Sequence, residues 1–397
     1  MVGLAAAAAG VSQAFGRFTY SLLFTDVRDQ LGLSNSWAGS LGSANLAAYL
    51  SGTAVVSVVV GRLGLSRVTR VGLVGVSVGL AMLAFLPGLA AVVAGLICTG
   101  FFAAGVWVTV PAIAVAQVGP DRRGSAIGVV GAGIGTGIVI ASMLDTLVPV
   151  EAWRWVYRVE VALAVPVALG ALRYFRDPAD AGGRRAGLQV LAEVPGWRFL
   201  LGSYGLFGLG MALMVTFLVA TLEEDAGLSE AGASLAFSLF GLGTMVGGPL
   251  FGPMADRIGR SRAMVRAYVL MAATALVVAG GWRPWVWIAA FCFGTAFTAI
   301  PVTVAARLAD AVAPRDFGAA YGVATLAFGA GLMIGPQLGG LLGDATGSFR
   351  PIFWISAVVA VVAALLARAP RTSGRRRDRR RSIPAPRAPA AEESTRG

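Results

Sequence analysis

Residues 252–262 read Gly252-Pro253-Met254-Ala255-Asp256-Arg257-Ile258-Gly259-Arg260-Ser261-Arg262 and place one acid and three arginines in a short, glycine-bounded turn. Long apolar runs flank this turn, and charges that close to hydrocarbon belong at a membrane surface. A weaker copy, Arg62-Leu63-Gly64, precedes Arg257-Ile258-Gly259 by 195 positions, about half of the chain. The turn therefore predicts a membrane protein built from two related halves.

Composition supports a membrane protein. Of the 397 residues, 57% are hydrophobic and only 13% are charged, whereas soluble domains carry about 25% charged residues. The apolar residues form blocks of roughly 20, the length that crosses the hydrocarbon as a helix, and they lack the alternation of barrel strands. The 54 glycines suit helices that pack closely in lipid. We predict an all-α membrane protein.

Composition also excludes several kinds of chemistry. Histidine is absent, and no pair of aspartates falls at membrane depth, so the residues that an intramembrane hydrolase needs are missing. Cys98 and Cys292 both lie inside apolar runs and read as packing residues, not as a disulfide or metal pair. We therefore expect no enzyme activity, no cofactor and no metal.

We predict twelve transmembrane helices. The predicted spans cover residues 2–24, 37–60, 70–88, 91–116, 124–147, 155–173, 199–221, 231–251, 264–281, 284–308, 317–342 and 351–368. The first span has an alternative interpretation as a signal peptide, but no positively charged segment precedes it. Its removal would also destroy the correspondence between the halves.

That correspondence holds at an almost constant offset. Gly32-Leu33-Ser34 recurs as Gly227-Leu228-Ser229 at offset 195, and Cys98-x-Gly100 recurs as Cys292-x-Gly294 at offset 194. We predict two pseudo-symmetric six-helix halves, residues 1–173 and 199–368. A cytoplasmic linker, 174–198, would join them, and a disordered basic tail, 369–397, would follow.

The arginines predict the orientation. With both termini cytoplasmic, 26 of the 32 arginines fall on the inner side, as the positive-inside rule requires. We expect a multi-pass, monomeric protein of the bacterial plasma membrane. The run Arg375–Arg381 in the tail is a candidate site for anionic lipid headgroups. A purely topogenic role is the simpler interpretation, and we expect no nucleic-acid partner.

Two motifs resemble the major facilitator superfamily. The turn matches its loop signature through Gly252, Asp256, Arg257, Gly259, Arg260 and Arg262. Span eleven carries Gly331-x3-Gly335-Pro336-x2-Gly339-Gly340, which is similar to its glycine–proline helix-packing signature. The segments 16–20, 32–34 and 45–52 are similar to YbfB/YjiJ-type and cyanate-permease-like members. The resemblance implies the twelve-helix major facilitator fold and transport by alternating access.

The resemblance also implies a role for the loop as a conformational latch. Its acid would contact the positive start of a helix in the opposite half. For Asp256, repeat symmetry puts that contact at the start of span five, near residues 123–125. The first-half copy has Gly61 in place of the acid, so the latch would be one-sided. Span four lacks an embedded arginine and span five lacks a proline, which argues against a drug antiporter.

Arg17 is the strongest candidate for a substrate-binding residue. It lies inside span one, where a charge is costly and normally faces a cavity or a partner. We predict that Arg17 binds an anionic or carboxylate-bearing solute, with Tyr20, Asn45, Tyr49, Trp107 and Tyr204 as further lining residues. The alternative is that Arg17 pairs with a helix C-terminus or with Glu160, or extends outward to the interface.

Asp145 and Glu160 are the candidates for ion coupling, because a desolvated carboxyl group titrates near neutrality. Pairing of these acids with Arg154 or Arg158 at the interface is the interpretation that we favour. Taken together, the sequence predicts a secondary active transporter for a small-molecule substrate, driven by an ion gradient. The alternatives are a drug or metabolite exporter and a membrane sensor with the same fold.

Overall fold

The structure is a computed structural model that describes residues 1–118, 123–147, 152–176, 187–312 and 317–368, with helix residues 61, 123–125, 187 and 317–319 described by their backbone alone. Within these ranges, all regular structure is helical. The predicted tail and most of the predicted linker lie outside the described residues. A short helix, Gly187–Ala192, belongs to the end of that linker.

The first predicted span is a segmented helix, α1, composed of Val2–Ala9, a π-helix Gly10–Phe18 and Thr19–Leu22, and a short helix Phe24–Gln30 follows it. The other eleven are long helices: α2 Asn35–Leu63, α3 Leu65–Phe85, α4 Leu89–Ala116, α5 Arg123–Leu147, α6 Arg154–Tyr174, α7 Trp197–Ala220, α8 Glu230–Ile258, α9 Arg260–Ala279, α10 Arg283–Ala309, α11 Phe317–Thr346 and α12 Arg350–Ala367.

These eleven helices of the described chain are each long and apolar enough to cross a membrane. Helix α1 has the composition of a span as well, but the π-helix divides it into shorter pieces. Helix α7 is longer than predicted, because a π-helical turn, Thr221–Asp225, continues it. The prediction of an all-α membrane protein is confirmed.

The repeat is visible in the turns. Gly32 and Gly227 both adopt φ of +62°, and Gly64 and Gly259 adopt φ of +84° and +92°. These left-handed values favour glycine, since other residues meet steric strain there. Ser34 and its counterpart Ser229 cap the starts of α2 and α8 with their hydroxyl groups. Equivalent positions in the two halves therefore carry the same local structure.

Helix α11 packs between α7 and α2 along its glycine–proline motif. Cβ atoms built on Gly331 and Gly340 would lie 2.0 Å from the Gly205 carbonyl oxygen of α7 and 2.3 Å from the Asn35 carbonyl oxygen of α2. Side chains there would force the helices apart. Gly335 and Gly339 also lie against α7, where added Cβ atoms would meet Ala212 and Phe217. Pro336 lies against α2, where a Cβ added at Gly39 would meet its carbonyl oxygen.

Candidate functional site

The π-helix of α1 carries Arg17, whose side chain is buried between the halves. The Thr19 amide donates to the Ala14 carbonyl, five residues back, which is the spacing of a π-helix. Arg17 is only 8% exposed. Its Nη1 donates to Gln13 Oε1 at 2.7 Å, and its guanidinium carbon lies 4.2 Å from the centre of the Tyr49 ring.

Among the described residues, no acid pairs with the guanidinium of Arg17. Glu160, one of the alternatives considered from the sequence, instead accepts a hydrogen bond from Thr19 Oγ1. Burial also excludes extension of Arg17 to the interface. Both Arg17 Nε and Gln13 Nε2 are buried and lack a hydrogen-bond partner in the described part of the chain. Such groups are costly to bury, so this part of α1 retains unused capacity to donate hydrogen bonds to an anion.

Arg17 lines a small cavity between the two halves. Its wall includes Tyr20, Ser21 and Asn45 from the first half and Met211, Thr216 and Pro336 from the second. The cavity volume is about 20 Å³, room for about one water molecule. In this state the protein is closed around the arginine, and a substrate requires the halves to move apart.

The polar groups of two predicted lining residues, Tyr20 and Asn45, form hydrogen bonds within the protein. Tyr20 donates its hydroxyl to the Ala38 carbonyl at 2.6 Å. Asn45 Nδ2 donates to the carbonyls of Gly16 and Leu96 and to Thr99 Oγ1, at 3.1, 2.7 and 3.1 Å. Both residues lie in the cavity wall, and their contacts hold α1, α2 and α4 together around it.

The other three predicted residues lie outside that wall. Tyr49 packs its ring on Arg17 from the side. Tyr204 is buried, hydrogen-bonds with Tyr321 and stacks on Phe328 with ring centres 5.0 Å apart. Trp107 is half-buried on α4 among core residues. The structure therefore brings Arg17, Tyr20, Asn45 and Tyr49 together and places Trp107 and Tyr204 apart from them.

The predicted pairing of Asp145 or Glu160 with Arg154 or Arg158 is wrong. Arg154 donates to the carbonyls of Leu83 and Leu86, and Arg158 donates to the Ala84 carbonyl, so both arginines cap the end of α3. Glu160 is fully buried and hydrogen-bonded to Thr19, and its Oε2 lacks a partner among the described residues. The error arose because α6 turns Glu160 toward α1, away from the interface.

Asp145 lies at the contact between the halves. It is buried and accepts a hydrogen bond from Ser234 of α8. Its carboxylate lies within 4.8 Å of those of Asp26 and Glu230. Asp26 is in the short helix beyond α1, and burial, together with the charges of Asp145, Glu223 and Glu230, raises its pKa to about 8. Closure of this side therefore brings together acids that repel one another when ionised.

The halves are joined at their predicted outer ends. Asp344 of α11 accepts hydrogen bonds from the backbone amides of Asn35 and Ser36, at 2.9 and 2.8 Å. Arg28 pairs with Glu224 at 2.7 Å, Thr25 donates to Glu223 at 3.1 Å, and Ser40 hydrogen-bonds with Gln337. Toward the inner ends, Cβ atoms built on Gly128, Gly131 and Gly322 would meet no atom of the described chain within 4 Å. The described halves are therefore in contact at their predicted outer ends, whereas these three glycines border open space.

Comparison with known proteins agrees with this architecture. The model of the family described as "uncharacterised MFS-type transporter YbfB" matches residues 9–368. The chain belongs to this family. It is therefore a major facilitator transporter and not an enzyme, which confirms the resemblance drawn from the two motifs.

Individual known proteins are also similar to this chain. The Probable transporter SCO4007 of Streptomyces coelicolor is 32% identical over 57% of this chain and 56% of that protein. A chloramphenicol resistance protein of Streptomyces lividans is 28% identical over 92% of this chain and 94% of that protein. The solved structure of a mutant of the nucleoside transporter NupG superposes with a TM-score of 0.76 at 15% identity, over 92% of this chain and 99% of that one, which shows a shared fold.

In this YbfB-type transporter the charged turn has its described contacts within one half. Arg260 pairs with Asp256 and with Asp310, the latter at 3.0 Å, and these residues belong to α8, α9 and the end of α10. Gly252 borders open space, and Gly259 makes the left-handed bend. The side chains of 123–125, the contact predicted for Asp256, lie outside the described residues. The latch stays a prediction.

Sequence reasoning missed Gln13 and Thr19. Gln13 precedes Arg17 by four residues, and this helical spacing was the available signal. Thr19 had no such signal, because its partner Glu160 lies 141 residues away.

Proposed function

We propose that the protein is a secondary active transporter for a small anionic solute, which it binds at Arg17 and moves by alternating access. The observation that carries this proposal is the buried guanidinium between the halves, whose charge no described carboxylate neutralises. A buried, unpaired charge costs several kcal/mol. A bound anion would remove that cost, so the site favours carboxylate-bearing or similar planar anions.

The donors present support a carboxylate in particular. Arg17 offers Nε and its second terminal nitrogen, and Gln13 offers Nε2 beside it. A guanidinium binds a carboxylate through two parallel hydrogen bonds. Tyr49 would hold the plane of the guanidinium in place from the other face.

Glu160 is the coupling residue that we favour over Asp145. A fully buried carboxylate with no described cation beside it is strongly disfavoured, so Glu160 holds a proton in this state. Thr19 connects it to the helix that carries Arg17, only two residues away. Hydration of this contact in the opposite state would release the proton, and the coupling ion would be H⁺.

Binding is tested by thermal stabilisation of the purified full chain with small carboxylates, cyanate-like anions and lipophilic cations. We expect stabilisation by anions, and loss of that stabilisation in Arg17→Gln. Arg158→Gln is the matched control, since that arginine caps α3 and does not line the cavity. Stabilisation by cations alone, or equal stabilisation of Arg17→Gln, overturns the anion proposal.

Coupling is tested in vesicles loaded with the anion that stabilises the protein best. Glu160→Gln should still exchange substrate but fail to accumulate it in response to a proton gradient, because glutamine mimics the protonated acid. Asp145→Asn is the comparison variant. Unchanged accumulation by Glu160→Gln, with loss in Asp145→Asn, would transfer the coupling role to Asp145.

Export of an uncharged drug is the second candidate function, and the chloramphenicol resistance relative favours it. The apolar contacts of Phe18 with Phe240 and Phe297 of the second half would suit such a ligand. Raised chloramphenicol resistance in cells expressing the chain, unaffected by Arg17→Gln, supports this function. Sensitivity equal to that of cells without the gene excludes it.

We further propose that the protein is a monomer in the bacterial plasma membrane with both termini in the cytoplasm. The distribution of arginines supports that orientation. Cysteines introduced after residue 368 should react with a maleimide only after the cells are made permeable.

A further inference from the structure

A groove on the surface of the first half has a lining unlike that of the Arg17 cavity. It lies between α3, α4 and α6, with a volume of about 390 Å³. The lining is apolar except for Arg70 and the thiol of Cys98, and consists of Arg70, Val71, Val74, Gly75, Val78, Cys98, Phe102 and Leu172. Val71, Val74 and Val78 are 59%, 43% and 51% exposed, so they face the lipid.

Arg70 stands at one end of this groove in a fixed position. Its Nη2 donates to the carbonyl of Phe175, the residue that ends α6. Its Nε is buried without a hydrogen-bond partner, and within the described ranges it forms no salt bridge. The exposed residues Arg67 and Arg173 occupy the same ends of α3 and α6. The groove thus has a cationic end and an apolar body.

The dimensions fit one leaflet of a bilayer. From Val71 to Val78 the groove follows α3 for about 10 Å, at 1.5 Å per residue. One leaflet contributes roughly 15 Å of hydrocarbon. With Arg70 at the membrane surface, the body of the groove lies at the depth of the acyl chains.

We propose that this groove binds one phospholipid with an anionic headgroup, whose phosphate contacts Arg70 and one of whose acyl chains occupies the valine-lined body. The cationic end selects the headgroup, since basic residues near the surface attract anionic lipid. Gly75 lets the Phe102 ring of α4 pack directly against α3 as part of the groove wall, since a Cβ there would lie 2.1 Å from that ring. This inference is independent of the substrate proposed for Arg17.

The repeat supplies matched control positions. At offset 195, Val74 corresponds to Val269 and Gly75 corresponds to Leu270, so the second half carries a large side chain where Phe102 packs against a glycine in the first half. Arg266 is the arginine nearest to the equivalent of Arg70. Its Nη1 contacts Met254 Sδ at 3.8 Å, and it lies on the same face of the membrane.

The test measures lipid retained by the purified full chain, by native mass spectrometry and by the change in Tm on adding lipid. Detergent micelles would contain either phosphatidylglycerol or phosphatidylcholine. We expect a roughly fivefold preference for phosphatidylglycerol. The preference should disappear in Arg70→Gln and persist in Arg266→Gln. Val74→Trp should fill the groove and abolish retention of both lipids, whereas Val269→Trp should not.

Each outcome decides the proposal. If Arg70→Gln and Arg266→Gln lose the preference for phosphatidylglycerol equally, the lipid is attracted by positive charge in general, and the proposed site is overturned. Retention by Val74→Trp equal to that of the native chain would overturn it as well. If Arg70→Gln fails to fold because α6 loses its cap, Val74→Trp and Val269→Trp still decide, since both leave Arg70 intact.

Discussion

Two aspartates near opposite faces of the membrane make contrasting contacts. Asp344, at the predicted outer end of α11, crosses to the other half and accepts hydrogen bonds from the first two backbone amides of α2. Asp256, at the predicted inner end of α8, pairs with Arg260 of its own half. An acid at the positive start of a helix in the opposite half was predicted for the inner face. The structure has that arrangement at the predicted outer face.

Asp344 and Asp256 differ because the two halves are in contact around Asp344, whereas the described residues around Asp256 belong to one half. An acid at a helix start is stabilised by free amides and by the helix dipole, but only when the two halves are in contact. In this state the predicted outer ends meet, so Asp344 reaches α2. Gly128, Gly131 and Gly322, toward the predicted inner ends, border open space, and the described partners of the charged turn belong to its own half. Contacts of this kind therefore depend on the conformational state as well as on the fold.

The largest expected effect is that of pH on the contact between the two halves at their predicted outer ends. Burial and neighbouring acids raise the pKa of Asp26 to about 8 in the closed state, and hydration on opening would return it toward its usual value near 4. The closed state therefore binds the proton more tightly. The equilibrium constant for closure should be largest below about pH 4. It should fall as the pH rises to about 8, by at most tenfold per pH unit.

This pH dependence is measurable through Ala38, which is fully buried near the outer end of α2. In a background with Cys98 and Cys292 replaced by alanine, maleimide labelling of Ala38→Cys should accelerate at least tenfold from pH 5 to pH 8. Rates are normalised to the unfolded protein at each pH. Asp26→Asn should flatten the profile, and Asp29→Asn, an exposed acid on the same short helix, should not. A flat profile in the native background contradicts the prediction.

Removal of the Asp344 contact should have the next largest effect. Asp344→Asn keeps one acceptor oxygen and sets an NH₂ group against a backbone amide. Charge-assisted hydrogen bonds contribute about 1.5–3 kcal/mol when buried, and this exposed pair less, so we expect about fivefold faster labelling of Ala38→Cys. Thr346→Val is the control, because its hydroxyl bonds to Leu342 and Ser348 of its own half. Equal rates in the two variants would show that Asp344 does not hold the halves together.

The ion pair of Arg28 with Glu224 should contribute less. The side chains are 14% and 39% exposed, and pairs of this kind contribute about 0.2–1 kcal/mol. Arg28→Gln should accelerate Ala38→Cys labelling about twofold at low salt. The difference from the native protein should vanish near 1 M NaCl, where the screening length is about 3 Å. A difference that persists at high salt would mean that the hydrogen bond to Asn35 matters more than the charge.

Much of the fold follows from local sequence, because spans and turns depend on nearby residues. Apolar blocks predicted the helices, and paired glycines predicted the equivalent turns at Gly64 and Gly259. Arg17 was found because a charge inside an apolar block is conspicuous. The partner of Glu160 depends on how α6 is rotated against α1, and the contact of Asp344 depends on which face is closed. Neither property is encoded in a single stretch of sequence.

The smallest expected effect belongs to the turn itself. If Asp256 stabilises the opposite state, closed at the predicted inner ends, Asp256→Asn should shift the population further toward the state seen here. Labelling of Ala38→Cys should then slow by less than about twofold, since that state already predominates. Asp310→Asn is the matched control: it removes the other partner of Arg260 on the same face without being predicted to contact α5. Equal rates for Asp256→Asn and the native background would remove the latch role and leave the turn as a determinant of topology, whereas slowing in both variants would assign the effect to the Arg260 pairs.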